Sequence, residues 1–249
     1  MNTSERQEWI LKKLNDLGKV RTKDLAHLSG VSSETIRKDL IYLEYKGLVQ
    51  KKHGGAVSLN SNNVYFDKLK ETEVIFQNIG QKALEYLPES GIVFIDAGIT
   101  ALSMAKHIPQ TAKNLTLITN SFNTMSHLIS QGNPVFFIGG EVSPPTMSTN
   151  GLWALNTIGT ITFDTVFMGT NGFRLHNGPC AKSFYEAEIK KAILQKSNRC
   201  VVMADSSKFK TSSLAAYANW SDVDVLITDS GVPEEYLTEI SKQVEVVVV

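Results

Sequence analysis

Apolar residues recur every three or four positions along the first fifty residues, which is the spacing of amphipathic helices. The predicted helices cover residues 4–17, 22–29 and 33–46. Thr22 is the expected cap of the second helix, and Ser32 is the expected cap of the third. The apolar stripe of the third helix consists of Ile36, Leu40 and Leu43. Residues 48–59 then predict two short strands around a Gly-Gly pair.

The pattern changes at residue 73 to short apolar runs that alternate with segments of helical spacing. The predicted strands cover residues 92–95, 116–119, 135–138, 165–168, 200–204, 225–228 and 244–249. The predicted helices cover residues 73–87, 100–108, 122–131, 184–197 and 233–242. Because the runs are apolar without alternation, both faces of the sheet should be covered. The order of elements predicts a mostly parallel, doubly wound sheet.

These patterns predict an α/β protein with two domains. Three helices with a glycine-containing turn between the second and third, followed by two strands, indicate a winged helix-turn-helix. We expect this domain over residues 1–58, a polar linker with some helix at its end over 59–72, and a doubly wound α/β domain over 73–249.

Charge is unevenly divided between the two predicted domains, although the whole chain is neutral. Residues 1–57 contain 11 lysines and arginines against 7 acidic residues, a net charge of +4, which leaves −4 for the remainder. A basic module joined to an acidic one favours nucleic-acid contact. A solvated basic face would have the same composition.

The third helix and the following strands carry the side chains suited to DNA. With the apolar stripe facing the core, the outer side of the helix carries polar and basic groups that can contact bases or phosphates. The candidate DNA-binding residues are Ser32, Ser33, Glu34, Thr35, Arg37, Lys38, Lys51, Lys52 and His53. A structural three-helix domain with no DNA partner remains the alternative from pattern alone.

An ordered set of motifs narrows this choice. The run VSSETIRKDL over residues 31–40 is followed by Leu43-Glu44, Gly47-Leu48 and the run KHGGA over residues 52–56. Together they closely resemble the signature of the DeoR family, bacterial regulators of sugar and nucleoside metabolism that are mostly repressors. The resemblance implies a double-stranded operator as partner. Lys38 stands where the family more often has arginine, which keeps the charge but loses bidentate geometry.

Small or polar residues follow five of the predicted strands. In a doubly wound sheet these ends share one edge, where ligands bind. The candidate effector-binding residues there are Asp96, Gly98, Thr100, Asn120, Ser121, Gly139, Gly140, Asn171, Gly172, Asp205 and Lys208. Gly98 and Thr100 open a helix whose terminal amides could hold an anion. Ordinary turn composition, with Asp96 and Thr100 as simple helix caps, is the alternative.

The DeoR resemblance continues through the residues that follow these predicted strands. It implies a sensor domain similar in fold to ribose-phosphate isomerases and CoA-transferases, with a phosphorylated sugar as effector. Lys190, Lys208 and Arg174 are the candidate cations for the phosphate, and Lys190 matches a lysine that the family usually keeps in its late helix. An exposed pair of Lys190 with Glu186 is the alternative. Ile99 stands where the family commonly has threonine, and the Gly-Thr-Asn-Gly run at 169–172 also differs from the family's more common sequence there.

Other chemistry finds little support in the sequence. The five histidines show no ligand spacing and no catalytic signature occurs, so we expect no metal, no cofactor and no enzymatic activity. An isomerase-like enzyme using Asp205 and Lys208 is the competing hypothesis. Two cysteines without a pairing motif, no signal peptide and no membrane-spanning run indicate a cytoplasmic protein. Helix-turn-helix proteins usually bind as dimers, so we expect a homodimer or homotetramer.

Overall fold

The chain divides into two compact units, Met1–Glu73 and Val74–Val249. The computed structural model describes residues 3–17, 19–45, 49–52, 54–58, 62–109, 112, 114–144, 146–173 and 176–249. Each unit has its own hydrophobic core. We refer to them as the N-terminal unit and the C-terminal unit.

The N-terminal unit contains three helices and a small antiparallel sheet. Its elements are α1 (Thr3–Leu17), β1 (Lys19–Arg21), α2 (Thr22–Ser29), α3 (Ser33–Tyr45), β2 (Val49–Lys52) and β3 (Gly55–Ser58). The strands lie in the order β1-β3-β2. The core of this unit includes Ile10, Leu14, Leu25, Ile36, Leu40, Leu43 and Val49. The three predicted helices and the wing strands are confirmed, whereas β1 was not predicted.

The starts of the second and third helices differ from each other. Ser32 caps α3 as expected, because its hydroxyl accepts a hydrogen bond from the Thr35 backbone at 3.1 Å. The predicted cap at Thr22 is wrong. Arg21 occupies the N-cap position without a side-chain bond, and Thr22 is the first helical residue. Its amide donates to the Gly54 carbonyl at 2.9 Å, so the wing satisfies the helix end instead.

Helix α4 spans Asn62–Ala83 and ends in a 3₁₀ turn at Leu84–Tyr86. Most of the segment 59–72, predicted as a linker, is therefore helical. The sequence of this segment has no apolar periodicity that would predict a helix. Its lysine, leucine and glutamate residues nevertheless have high helix propensity.

The C-terminal unit is built on one parallel sheet. Its strands are β4 (Gly91–Ile95), β5 (Leu115–Thr119), β6 (Val135–Phe137), β7 (Glu141–Ser143), β8 (Ser148–Asn150), β9 (Thr165–Gly169), β10 (Cys180–Ala181), β11 (Cys200–Met203), β12 (Ala215–Ala216), β13 (Val225–Thr228) and β14 (Glu245–Val248). Its further helices are α5 (Ile99–His107), α6 (Phe122–Ser130), α7 (Leu152–Gly159), α8 (Phe184–Leu194) and α9 (Glu234–Ile240).

Seven strands form the sheet in the order β14-β13-β11-β9-β4-β5-β6, and every pairing is parallel. All seven were predicted, so the predicted fold class is confirmed. Helices α5 and α6 pack against one core cluster, and α7, α8 and α9 pack against the other. All carboxyl ends of the strands meet at one edge, called the carboxyl edge below. The chain order reverses between β4 and β9, which defines the switch point.

Some smaller elements were not predicted. They are the hairpin of β7 and β8, the pair of β10 and β12, and helix α7. Both cysteines are free and buried. Among the described residues, no helix is both long and apolar enough to cross a membrane.

Candidate functional site

Helix α3 presents a polar surface opposite its core stripe. Ile36, Leu40 and Leu43 are almost fully buried, while the Arg37 side chain is 65% exposed. Arg37 lies 3.4 Å from the Glu34 carboxylate, and Lys38 is exposed beside it. Ser32 and Glu34 are exposed, and Ser33 and Thr35 are half-buried at the start of the helix. The face is as the sequence predicts.

Asp39 anchors α3 to α1, a role that sequence reasoning did not assign. Its carboxylate accepts hydrogen bonds from Arg6 at 2.6 and 3.2 Å and from the Gln7 amide at 3.1 Å. Asp39 is 3% exposed. The signal in the sequence that could have indicated this role is the position of Asp39 within the motif at residues 31–40. The bonds fix the orientation of the exposed face of α3.

Two glycines shape the wing. Gly54 has a φ of 80°, which disfavours other residues. A Cβ on Gly55 would lie 2.0 Å from the Val20 carbonyl oxygen, so β3 can approach β1 only with glycine there. Lys51 is half-buried and Lys52 is exposed. The candidate His53 lies outside the described residues.

A buried polar cluster occupies the switch point between β4 and β9. Asp96 follows β4, and its Oδ2 accepts a hydrogen bond from the Gly169 amide at 2.9 Å and another from Lys190. Lys190 also donates to the Gly169 carbonyl at 3.0 Å, and the Tyr217 hydroxyl donates to the same oxygen at 2.8 Å. The Lys190 ammonium lies 5.3 Å from the Tyr217 ring centroid, within cation–π range. Tyr217 was not predicted, since no motif marks it.

The alternative of an exposed Lys190–Glu186 pair is wrong. Lys190 is 3% exposed and pairs with Asp96, which is 2% exposed. Glu186 lies nearby on α8. Burial raises the pKa of its carboxyl, the Lys190 charge opposes that rise, and the Asp96 charge adds to it. A buried ion pair therefore occupies the switch point, with the half-buried Glu186 near it.

Helix α5 begins at the same switch point. Its N-cap is Gly98, with φ of 127° and ψ of 169° and no side-chain hydrogen bond to the helix end. Capping by Asp96 or Thr100 is therefore wrong. A Cβ on Gly98 would meet nothing within 4 Å, so the space beside the loop is open. The first amides of a helix have no partner within it, and here they adjoin open space. This geometry suits an anion.

Two polar residues after β5 are placed differently. The Ser121 hydroxyl accepts from the Thr124 amide at 3.2 Å and so caps α6. Asn120 donates to the Thr149 carbonyl at 3.2 Å. The amide oxygen of Asn120 is buried without a hydrogen-bond partner among the described residues.

Two other predicted effector residues also have a buried side-chain oxygen without a hydrogen bond among the described residues, namely Asn171 at Oδ1 and Asp205 at Oδ2. Asp205 uses its other oxygen to cap the following turn, accepting from the Ser207 amide at 3.0 Å. The Lys208 ammonium is 3.5 Å from Asp205 Oδ2. Buried polar atoms are rarely left without a partner, so three acceptors at one edge favour a ligand that donates hydrogen bonds.

The candidate glycines divide into open and packed positions. Gly139 has open space around it. Gly140 and Gly172 pack against backbone oxygens, because a Cβ there would lie 2.4 Å from the Asn150 carbonyl and 2.1 Å from the Thr211 carbonyl. Arg174 lies outside the described residues.

The predicted effector residues follow neighbouring strands. With about 4.8 Å between strands, the edge from Asp205 after β11 to Asn120 after β5 spans about 14 Å. Within the ranges described, no group of three or more histidine, cysteine or carboxylate residues could hold a metal ion.

Comparison with known proteins identifies the family. The DeoR-like helix-turn-helix model matches residues 6–62, and the DeoR C-terminal sensor domain model matches residues 76–230. The HTH-type transcriptional regulator YulB of Bacillus subtilis is 33% identical over 235 residues, 93% of this chain and 90% of that protein. A putative aga operon transcriptional repressor of Escherichia coli O157:H7 is 30% identical over 254 residues, 99% of this chain and 94% of that protein.

Among solved structures, a ribose 5-phosphate isomerase A from Methanocaldococcus jannaschii overlaps 55% of this chain and 55% of its own, at 14% identity and a TM-score of 0.41. The relatives that match nearly the whole chain are named as regulators, which sets aside the enzyme hypothesis. The two family models together cover most of the chain, and the protein belongs to the DeoR family of transcriptional regulators.

Proposed function

We propose that this regulator represses a carbohydrate or nucleoside utilisation operon and that a phosphorylated sugar bound at the carboxyl edge controls its affinity for DNA. The observation that carries the effector assignment is the open, uncapped start of α5 beside the buried Asp96–Lys190 pair at the switch point. The name of the aga operon relative supports the repressor assignment. We place the protein in the cytoplasm, where an operator is accessible.

In the DNA arm of this proposal, α3 enters the major groove and the wing contacts phosphates. Arg37 and Lys38 are exposed cations of α3, and the wing carries the half-buried Lys51 and the exposed Lys52. We assign the DNA contacts to residues 32–35, Arg37, Lys38 and the wing lysines, within a domain of residues 1–58.

Replacing Arg37 with alanine is expected to weaken operator binding by about 1–3 kcal/mol if the guanidinium contacts a base. Because that contact is specific, preference for the operator over unrelated DNA should fall. Fluorescence anisotropy of labelled operator at fixed salt measures both. The matched comparison is Lys52→Ala, which should weaken binding to all DNA sequences alike. The slope of log affinity against log salt concentration should fall by roughly one, because one phosphate contact is lost. Unchanged operator binding by a folded Arg37→Ala protein would remove Arg37 from the interface.

In the sensor arm, the amides after Gly98 and the Thr100 hydroxyl hold the phosphate. Asp96 Oδ2 already accepts two hydrogen bonds, so its part is to position Lys190 and Gly169. Sugar hydroxyls donate to the buried oxygens that accept no hydrogen bond from the described residues, those of Asn120, Asn171 and Asp205. Lys208, 32% exposed in its side chain, supplies a cation near the sugar. The domain of residues 73–249 contains all these groups.

A sugar phosphate that fits this site should raise the melting temperature of the protein, and its unphosphorylated parent should not. At one hundred times its dissociation constant, a ligand that binds only the native state contributes about 2.7 kcal/mol. Thermal shift against pairs of sugars and sugar phosphates makes the comparison. Thr100→Val removes a hydroxyl donor and should weaken the phosphosugar response. Thr160→Val, at the far end of α7, should leave it unchanged. Equal stabilisation by parent and phosphate would reject the phosphate assignment.

A further inference from the structure

Four large apolar side chains are exposed at the starts of two neighbouring helices. Leu152 and Trp153 open α7, and they are 69% and 79% exposed. Phe184 and Tyr185 open α8, and they are 69% and 70% exposed. We call these four residues the rim patch. The other apolar side chains of these two helices are buried or half-buried against the core, so the large exposed apolar side chains of α7 and α8 lie in the first turns.

The four side chains belong to one surface. Helices α7 and α8 pack beside each other and contribute Ala154, Ile158 and Ala187 to the same core cluster. Helix α7 leads into the amino end of β9, and α8 leads into the amino end of β11. Both helices therefore run antiparallel to the strands and begin at the carboxyl edge. The first turns of these two packed helices therefore lie at the same edge, and we treat the four exposed side chains as one patch.

We propose that the rim patch is the surface through which two copies of this chain associate. At roughly 150–250 Å² for each aromatic side chain, the patch exposes on the order of 500 Å² of apolar surface. That approaches the upper end of what monomeric proteins show, about 300–600 Å². A standard interface buries about 800 Å² per partner, and the core of a homodimer interface is about 65% apolar. The exposed apolar area of the rim patch is therefore about equal to the apolar area that one partner contributes to such an interface.

A second copy fits this surface better than another partner does. Lys182 and Glu188 are exposed on either side of the aromatic pair, and Glu188 lies one helical turn beyond Phe184. In a twofold arrangement with α8 antiparallel to its copy, the lysine of each protomer faces the glutamate of the other. A regulator that reads paired half-sites also needs two recognition helices in one particle.

The test is the mass of the full chain in solution with the rim patch disrupted. Trp153→Glu combined with Phe184→Glu should weaken self-association by at least about 100-fold, because aromatic anchors of this kind each contribute more than about tenfold. Ile129→Glu is the matched control, a 55% exposed apolar residue on α6 at the other face of the sheet. In sedimentation equilibrium at micromolar protein, the wild type and the control should have twice the chain mass. The double variant should have the chain mass.

Circular dichroism establishes that each variant is folded. Should the two glutamates prevent folding, the neutral pair Trp153→Ser and Phe184→Ser replaces them with the same expectation. A wild-type protein that is monomeric at these concentrations would overturn the proposal. So would a folded rim-patch variant with the mass of the wild type, or dissociation caused equally by Ile129→Glu.

Discussion

Replacement of Lys190 by methionine is expected to lower the free energy of unfolding of the C-terminal unit by about 3–5 kcal/mol, because it leaves a buried carboxylate without its cation. Lys190 and Asp96 are 3% and 2% exposed, so water cannot take the place of the lost ammonium. The Gly169 carbonyl also loses a donor. Urea denaturation followed by tryptophan fluorescence measures the effect, since Trp220 is buried in this unit.

Two comparisons separate the buried charge from the loss of a long side chain. Combining Lys190→Met with Asp96→Asn removes both charges and should recover much of the stability. Lys242→Met breaks an exposed pair with Glu239 and should cost under about 1 kcal/mol. If Lys190→Met costs no more than Lys242→Met, the switch-point cluster does not hold this unit together.

Leu40→Ala is expected to destabilise the N-terminal unit by about 2–5 kcal/mol, because it leaves a cavity where α3 meets the core. Leu40 is 1% exposed and belongs to the hydrophobic core of this unit, together with Ile36 and Leu43. A small domain has little stability in reserve, so operator binding should be lost with the fold. Hydrogen–deuterium exchange across residues 3–45 should show faster exchange there, with the C-terminal unit unchanged.

The neighbouring residue provides the control. Ile41 is 52% exposed, and Ile41→Ala should change stability by less than about 0.5 kcal/mol. Wild-type exchange rates in a Leu40→Ala protein would mean that the predicted stripe is not the packed face of α3.

The parts of the fold that the sequence predicts are those with a local signal. Seven apolar runs predict the seven strands of the sheet, and the stripe of α3 predicts its buried face. Helix α7 has apolar residues on both its buried and its exposed sides, so it lacks the amphipathic period that marks a helix. Strand β1 has three residues and forms only because β3 pairs with it.

The sequence predicts which residues lie at the carboxyl edge, but it does not predict which of them contact one another. The carboxyl ends of parallel strands must share an edge, so the places of Asp96 and Asp205 directly after predicted strands suffice to assign them to it. The partner of Lys190 could not be assigned, because Asp96 lies 94 residues away and Glu186 is the nearer acid along the helix. The anchoring of α3 by Asp39 is likewise a contact across 33 residues.

The central claim is that ligand at the carboxyl edge changes the affinity of the N-terminal unit for DNA. The most direct measurement is operator affinity, by fluorescence anisotropy on a site selected from random DNA, with and without each phosphosugar that stabilises the protein. A coupling of about 1–3 kcal/mol predicts a change in affinity of roughly 5–150-fold, one that Thr100→Val diminishes and that the parent sugar does not produce. Operator affinity that stays the same when the phosphosugar is bound would contradict the account.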